Sequence, residues 1–568
     1  MPKITINGKE LEFKAGQTII EVARENDIVV PHFCWHPKLS VSGNCRMCLV
    51  DIEKMPKLAI ACSTLASDGM IVNVDSEKAI KARNAVMEFL LINHPLDCPI
   101  CDEAGECKLQ DYAYKYSVGE SRFEEEKQHK NKRVELGPFV MFDAERCISC
   151  SRCIRFSDEI AGKKQLTFVN RGGRVTISTF PGESLDNPYS LNVTDICPVG
   201  ALTNKDFRFK ARVWEMSKTN SICIGCSRGC NDEIWVRNNV ILRLTPRTNE
   251  EVNSCWMCDE GRLNTFKFVN NERVDGNYLR KDGLLVKVGF DEAVSGAASR
   301  LKSFKPSEIA FIGSAYTTCE DNFVLSKFAR SAFGSKNLDF ARHILPGSQD
   351  DLLIREDKTP NCFGAELSGI IPPQGGLKFD EIMKSVASGK IKALYCLEDD
   401  LASICSEYQD ALSKLELLIV HSVNFNKMTD LADIVFPASS YAEKNGTMIN
   451  FQGRIQRIRP AVETAEADRS LDGMQMSRLD RFGTDFDKWA KKNRVDSMPD
   501  WKILLSVASL MNLKMKYSMA EDVFEEMTHQ IDLLHGLDYD MIGEMGVQLK
   551  LKKTEKDKIE KAVKLQKA

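Results

Sequence analysis

The sequence has no run of the roughly 18 apolar residues needed to span a membrane. Its opening, MPKITINGKELEF, lacks the basic and then apolar segments of a secretory leader. The expectation is a cytosolic chain. Charge imbalance is also missing: 77 Lys and Arg stand against 81 Asp and Glu, a formal charge of -4 with a pI near 6.2. Composition therefore offers no reason to expect a nucleic-acid partner. No convincing glycine-rich nucleotide motif precedes a helix at the start, and Gly313-Ser314 alone is too weak to assign a dinucleotide site. The last 310 residues hold only four of the 20 cysteines, so the cysteine chemistry belongs to the first half. With 43% hydrophobic and 28% charged residues over 568 positions, a mini-protein, a collagen-like fibre and a wholly disordered chain are excluded, and several domains are expected.

What is present is a dense series of cysteines, sixteen between Cys34 and Cys258. In reducing surroundings such clusters are metal ligands or redox groups rather than disulfides. The pattern predicts a hairpin about Asn7-Gly8, a short helix over Thr18 to Asn26, and a helix over 77 to 93 that stops at His94-Pro95. The charged stretch Ser121 to Glu135 reads as a linker or a surface helix. After Cys230, EIWVRNNVILRL suggests short strands. Beyond Asn270, the apolar runs EIAFIGS, KALYCLED and LELLIVHSV alternate with helical segments such as DNFVLSKFARSAF, the pattern of an α/β domain with parallel strands. From Trp501 the chain turns methionine-rich and helical, and its last segment carries seven lysines against three acidic residues. That composition suits a solvated helical tail or one that docks on an acidic partner or anionic surface.

The ligands fall into four sets. Cys34, Cys45, Cys48 and Cys62, with ten, two and thirteen intervening residues, can hold two iron ions as a [2Fe-2S] centre, with zinc as the alternative. The spacing departs from the plant ferredoxin form. His94, Cys98, Cys101 and Cys107 lie in HPLDCPICDEAGECKLQDYA, where the imidazole supplies the fourth ligand of a [4Fe-4S] centre. A neutral imidazole in place of a thiolate makes that site less negative, which tends to raise its potential. Cys147, Cys150 and Cys153 in CISCSRCIRF, closed by Cys197 in DICPVGAL, follow bacterial ferredoxin chemistry and hold one further [4Fe-4S] centre. Cys223, Cys226 and Cys230 are closed by Cys258, after a gap of 27 residues, in a fourth set that suits a [4Fe-4S] centre or zinc. Cys255 remains the competing closing ligand. Cys255, Cys319, Cys362, Cys396 and Cys405 otherwise default to structural thiols. Several one-electron centres in one chain make little sense as hydrolytic sites and read as a path for electrons.

The order of CWHPKLSVSGNCRMC, HPLDCPICDEAGEC, CISCSRCIRF, DICPVGAL and CIGCSRGC resembles the large iron-sulfur subunit of respiratory NADH-quinone oxidoreductase, complex I. Further on, DLLIREDKTPN from Asp351 and LADIVFPASSYAEKNGTMINFQGRIQ from Leu431 resemble the molybdopterin-oxidoreductase-like body of the same protein. The resemblance implies a multidomain α/β chain divided as follows: a ferredoxin-like β-grasp [2Fe-2S] domain over 1-78, a [4Fe-4S] domain with one histidine over 79-118, and a ferredoxin-type region over 119-215. An additional [4Fe-4S] domain follows over 216-272, then a shortened, degenerate molybdopterin-oxidoreductase-like domain over 273-500 and a helical charged tail over 501-568. It implies one [2Fe-2S] and three [4Fe-4S] clusters, no molybdenum cofactor, and no hydride-transfer site in this chain. The implied partners are the NADH/FMN-binding and small iron-sulfur subunits and the subunits connecting to the quinone module. No nucleic acid is among them. Membrane association is implied only through the complex, on the cytoplasmic side of a bacterial inner membrane.

Two alternatives share parts of this pattern. The iron-sulfur subunit of an NAD-linked hydrogenase has the same types of set at its front end. The fourth set and the long second half favour the respiratory complex. A molybdenum-dependent formate dehydrogenase would need a cysteine or selenocysteine at the metal, and Cys396 in KALYCLEDD lacks the expected adjacent histidine.

Overall fold

A computed structural model describes residues 1-117, 119-466 and 493-551 and divides the chain into two compact units, Met1-Trp214 and Glu215-Ala568.

The first unit opens on a five-stranded sheet in the order Lys9-Glu12, Lys3-Ile6, Met70-Asn73, Leu49-Ile52, Ala59-Ile60. Asn7 and Gly8 both take positive φ (51° and 79°), the mirror-image turn whose twist matches a two-strand hairpin. Alternation along these strands buries Ile4, Ile6 and Leu11 on one face, against Ile19, Ile20, Val22 and Ala23 of the helix Ile19-Glu25. Thr18 and Glu21 cap that helix reciprocally. Each fully buried branched side chain contributes roughly 1.5-3 kcal/mol. Cys48 and Cys62 belong to this same core, so the first ligand set grows directly out of it.

The helix Glu77-Leu91 starts on Ser76, whose side chain accepts from the Ala79 N-H, and ends just before His94-Pro95. Its Arg83 is completely buried. The guanidinium donates to the carbonyls of Met47, Leu49 and Val74 at 3.3, 3.0 and 2.6 Å and pairs with Asp75 at 2.8 Å. One helical side chain thus anchors the segment that carries Cys48. The rest of the unit is built from short pieces: the sheet Leu202-Asn204, Val140-Phe142, Val134-Glu135 and the hairpin of Leu166-Val169 with Thr176-Thr179.

The second unit begins with a three-stranded antiparallel sheet, Ser217-Ile222, Asn231-Arg237 and Val240-Pro246; the last two are the short strands expected after Cys230, here paired as a hairpin. A seven-stranded sheet follows, in the order Leu284-Val288, Asn277-Lys281, Ile434-Pro437, Leu417-Ser422, Ala393-Leu397, Ile309-Gly313, Leu338-Phe340. The last five are parallel and the first two form an antiparallel edge. The strands Ile309-Gly313, Ala393-Leu397 and Leu417-Ser422 are buried along their whole length, which is why they read as continuous apolar runs rather than as alternating ones. The predicted helix appears as Cys319-Phe333, capped by Thr318 and stopped by Gly334 in the left-handed conformation.

The structure differs from expectation at the carboxyl end. Trp501, Ile503 and Leu504 of the helix Asp500-Leu510, with Phe524 and Met527 of Ala520-Gln530, pack into the same core as Phe311 and Tyr395. Val547-Gln548 adds a strand to Arg454-Ile458. The methionine-rich segment therefore completes the α/β body instead of starting a tail at 501. The lysine-rich segment 552-568 lies outside the described residues. Among the described residues no helix is long and apolar enough to cross a membrane.

Candidate metal-cluster sites

In the first set, Cys34, Cys48 and Cys62 are buried and Cys45 is half-buried. The Cys34 N-H points at the Cys45 sulfur at 3.4 Å, and Arg46 takes a positive φ of 60° in the turn between Cys45 and Cys48. The thiols pair up: a hydrogen bond from Cys45 pulls Cys34 down to about 5, and one from Cys48 lowers Cys62, while Cys45 and Cys48 are pushed up. The four thiols are thus close enough to act on one another's ionisation.

In the third set Cys150, Cys153 and Cys197 are buried and Cys147 is half-buried. Cys147, Cys150, Cys153 and Cys197 line one apolar cavity with Phe142, Ile177 and Leu202. Ser149 and Ser151, between the ligands, take positive φ (53° and 63°), and the Ser149 N-H reaches the Cys147 sulfur at 3.4 Å. Burial pushes Cys147 up to about 11, and Cys153 and Cys197 further. Thiolates here need nearby positive charge, which bound iron would supply.

Two arginines inside CSRCIRF join this set to the first. Arg152, only 4% exposed, donates to the carbonyls of Ile196 and Trp35 at 3.0 and 2.5 Å. Arg155 donates to the carbonyls of Cys34 and Cys150 at 2.5 and 3.4 Å, and to Ser40. Asn44 donates to the Ser149 carbonyl at 3.1 Å. The loop of one ligand set thus rests on the loop of the other.

The second set adjoins the third through the turn Cys197-Pro198-Val199-Gly200. The Cys107 sulfur lies 3.9 Å from the Pro198 carbonyl, and a Cβ built on Gly200 would stand 2.2 Å from the Cys101 sulfur. Only glycine permits that approach. Asp97, just before Cys98, pairs at 2.9 Å with Arg146, just before Cys147. Cys101 and Cys107 are close enough to influence each other's ionisation, and Cys98 is exposed. Burial, with Lys127 and Arg146 nearby, lowers His94 to about 4 and keeps its imidazole neutral, the form that ligates a metal.

In the second unit the structure brings Cys223, Cys226, Cys230 and Cys258 together: each of the other three acts on the ionisation of Cys223. Cys258 caps the helix Asp259-Asn264, accepting from the Gly261 N-H at 3.3 Å, and Gly225 donates to the Cys223 sulfur at 3.4 Å. A Cβ on Gly261 would meet the Cys223 and Cys258 sulfurs at 2.8 and 3.3 Å, so this face is cut to fit sulfur. Cys255, half-buried, precedes that helix.

Donor spacing tests which group fits. A mononuclear tetrahedral zinc site with bonds of about 2.3 Å holds its sulfurs roughly 3.8 Å apart. Among the described residues, no three ligand atoms from any of the four sets lie within 4.8 Å of one another. The sets are open enough for a group larger than one ion, as a cluster is, and N-H···S bonds of the kind seen here tune cluster potentials.

The α/β body has a different centre. Asp321, Glu398 and Asp500 offer oxygens within 4.8 Å of one another, but the fully buried Lys444 ammonium stands among them, at 3.0, 2.5 and 3.2 Å. A lysine takes the place a cation would occupy. Cys396 is fully buried in the strand Ala393-Leu397, with its thiol toward the Asp399 carbonyl. Sequence reasoning missed the bridging arginines, the glycines facing sulfur and Lys444; the arginines, Gly200 and Lys444 lie within the quoted segments, but their reach across the fold has no local signal.

Comparison with known proteins places family matches along most of the chain. Five family models match: a 2Fe-2S iron-sulfur cluster binding domain over 2-77, the NADH-ubiquinone oxidoreductase-G iron-sulfur binding region over 83-122, the NADH-quinone oxidoreductase subunit 3 ferredoxin-like domain over 137-203, the NADH-ubiquinone oxidoreductase NDSU1/NuoG-like 4Fe-4S domain over 216-265, and molybdopterin oxidoreductase over 364-471. The G-type subunit of NADH-quinone oxidoreductase from Rickettsia conorii is 41% identical over 337 residues, 59% of this chain and 50% of its own length. The mitochondrial NADH-ubiquinone oxidoreductase 78 kDa subunit of Neurospora crassa is 38% identical over 341 residues, 59% of this chain and 45% of its own. The chain spans about half the length of the curated relatives it matches. A chain of the NAD+-reducing [NiFe]-hydrogenase crystal structure is 29% identical, covering 37% of this chain and 91% of that one, with a TM-score of 0.34. The chain is homologous to the G-type subunits of NADH-quinone oxidoreductases and carries one 2Fe-2S and several 4Fe-4S binding domains; its molybdopterin-like domain is not by itself indicative of molybdenum.

Proposed function

We propose that this chain is the electron-relay subunit of an NADH-quinone oxidoreductase. Cys34, Cys45, Cys48 and Cys62 hold a [2Fe-2S] cluster. His94 with Cys98, Cys101 and Cys107, then Cys147, Cys150, Cys153 and Cys197, then Cys223, Cys226, Cys230 and Cys258 each hold a [4Fe-4S] cluster. When bound, such clusters supply reversible one-electron chemistry. The observation that carries the reading is the direct juxtaposition of ligand loops within the first unit, in the order first, third, second, through Arg152 and Arg155 on one side and the Cys197-Gly200 turn on the other. This spatial order differs from the order along the chain and makes the third set the bridge. The arginines offset the negative charge of the ligand sulfurs between the first and third sets, and burial excludes water. Electrons enter from an NADH/FMN-binding partner and leave through a small iron-sulfur partner toward quinone. The chain sits peripherally on the cytoplasmic side of an inner membrane, held there by its complex.

Anaerobic iron and sulfide analysis with low-temperature EPR of the purified full chain tests the assignment. About fourteen iron atoms per chain are expected from one two-iron and three four-iron centres. A stable count near ten removes the fourth cluster, and stoichiometric zinc at any set rejects that set's assignment.

A further inference from the structure

A cleft of about 460 Å³ opens beside the first ligand set. Arg24 from the helix Ile19-Glu25, Lys108 from the helix Lys108-Tyr116, and Arg152 line it together with Trp35, against a single carboxylate, Asp27. His32 and His36 also line it. The cleft is therefore strongly cationic.

Two of those cations, Lys108 and Arg24, form no ion pair within the chain among the described residues. Among the described residues the Lys108 ammonium, which lines the cleft, has no hydrogen-bond or ion-pair partner. Arg24 lies 6.0 Å from the Trp35 ring centre and makes no ion pair among the described residues. Arg152 is buried, and its Nε has no partner although its other nitrogens reach backbone carbonyls. Three cations against one carboxylate give the cleft a positive potential that favours an anion. The volume falls within the roughly 300-1,000 Å³ of small-molecule sites.

We propose that this cleft binds a small organic oxyanion, a phosphate monoester or a polycarboxylate, with Lys108, Arg24 and Arg152 on the anionic group and the Trp35 ring beside the organic part. The proposal does not need the electron-relay reading, since none of the three cations is a cluster ligand there, although Arg152 also joins the first and third ligand sets.

Calorimetric titration of the anaerobic full chain with inorganic phosphate, AMP and citrate tests the proposal. One site per chain is expected, with AMP or citrate bound more tightly than phosphate, which distinguishes the phosphate and carboxylate sources. Arg24→Gln, on an exposed position, and Lys108→Gln should each weaken binding about tenfold, because each removes one charge-assisted contact. The EPR signal of the first set serves as the folding control for both. Absence of binding by all three probes at about 10 mM, far above the Kd expected for three charged contacts, overturns the proposal. So does binding that neither variant weakens. Cross-linking of Lys108 to a partner carboxylate, with none of the three anions bound, also overturns it and makes the cleft a protein contact.

Discussion

Replacing Lys444 by methionine should destabilise the α/β body more than any other single change of similar size. The ammonium is fully buried and touches three carboxylates, Asp321, Glu398 and Asp500, besides donating to the Thr317 hydroxyl at 2.7 Å. Burial drives Glu398 well above the usual carboxylate range, so it keeps its proton and shares it with Asp500. Burial also opposes ionisation of Asp500, yet Lys444, His421 and the Glu398 hydrogen bond outweigh it and hold the group below its ordinary value. One ammonium and one shared proton thus serve three carboxyl groups. Methionine fills the volume and leaves Asp321 and Asp500 without their counter-charge. Deleting one partner of a buried pair costs about 3-5 kcal/mol. At about 1.3 °C per kcal/mol for a unit the size of Glu215-Ala568, the thermal transition should fall by roughly 4-7 °C. Differential scanning calorimetry of the anaerobic full chain reads this directly. Lys444→Met combined with Asp321→Asn should recover part of the loss by removing the uncompensated charge. A fall below about 2 °C, or a double variant less stable than the single one, refutes the electrostatic account.

Two further outcomes follow from the sites. Gly200→Ala places a methyl group 2.2 Å from the Cys101 sulfur, so the second set's EPR signal should shift or disappear, with loss of about four iron atoms, while the first set's signal persists. An unchanged spectrum would mean that the turn does not abut the second set. His343 lies 3.1 Å from Asp399; burial lowers its pKa, but the Asp399 hydrogen bond and charge raise it more, and the net shift is upward. A raised histidine contributes stability that is full below its unfolded value near 6.5 and is lost as pH rises through its folded value. His343→Gln should therefore flatten the fall in unfolding free energy with rising pH above about 6.5, measured by urea titration at several pH values.

Much of this was legible locally. The Asn7-Gly8 turn, the helix stopping at His94-Pro95 and the buried runs of the second sheet are short-range patterns, and the structure contains each one. Ligand spacings such as Cys147-x2-Cys150-x2-Cys153 are equally local, because a turn with positive φ at Ser149 and Ser151 brings such sulfurs together. The carboxyl end was misread for the opposite reason. Helical periodicity over Trp501 to Gln530 says that a face is apolar, not which core it joins, and here it joins that of the parallel sheet.

By itself the sequence determined the grouping of cysteines into candidate sets, their residue types and the hairpin, helix and strand patterns around them, since each depends on neighbours a few positions apart. Only the tertiary structure decided that the third candidate set lies between the first and the second, that Cys258 stands near Cys223, Cys226 and Cys230, and that Lys444 fills the acidic centre of the α/β body. Those are contacts across dozens to more than a hundred positions, set by the packing of whole elements, and no local spacing encodes them.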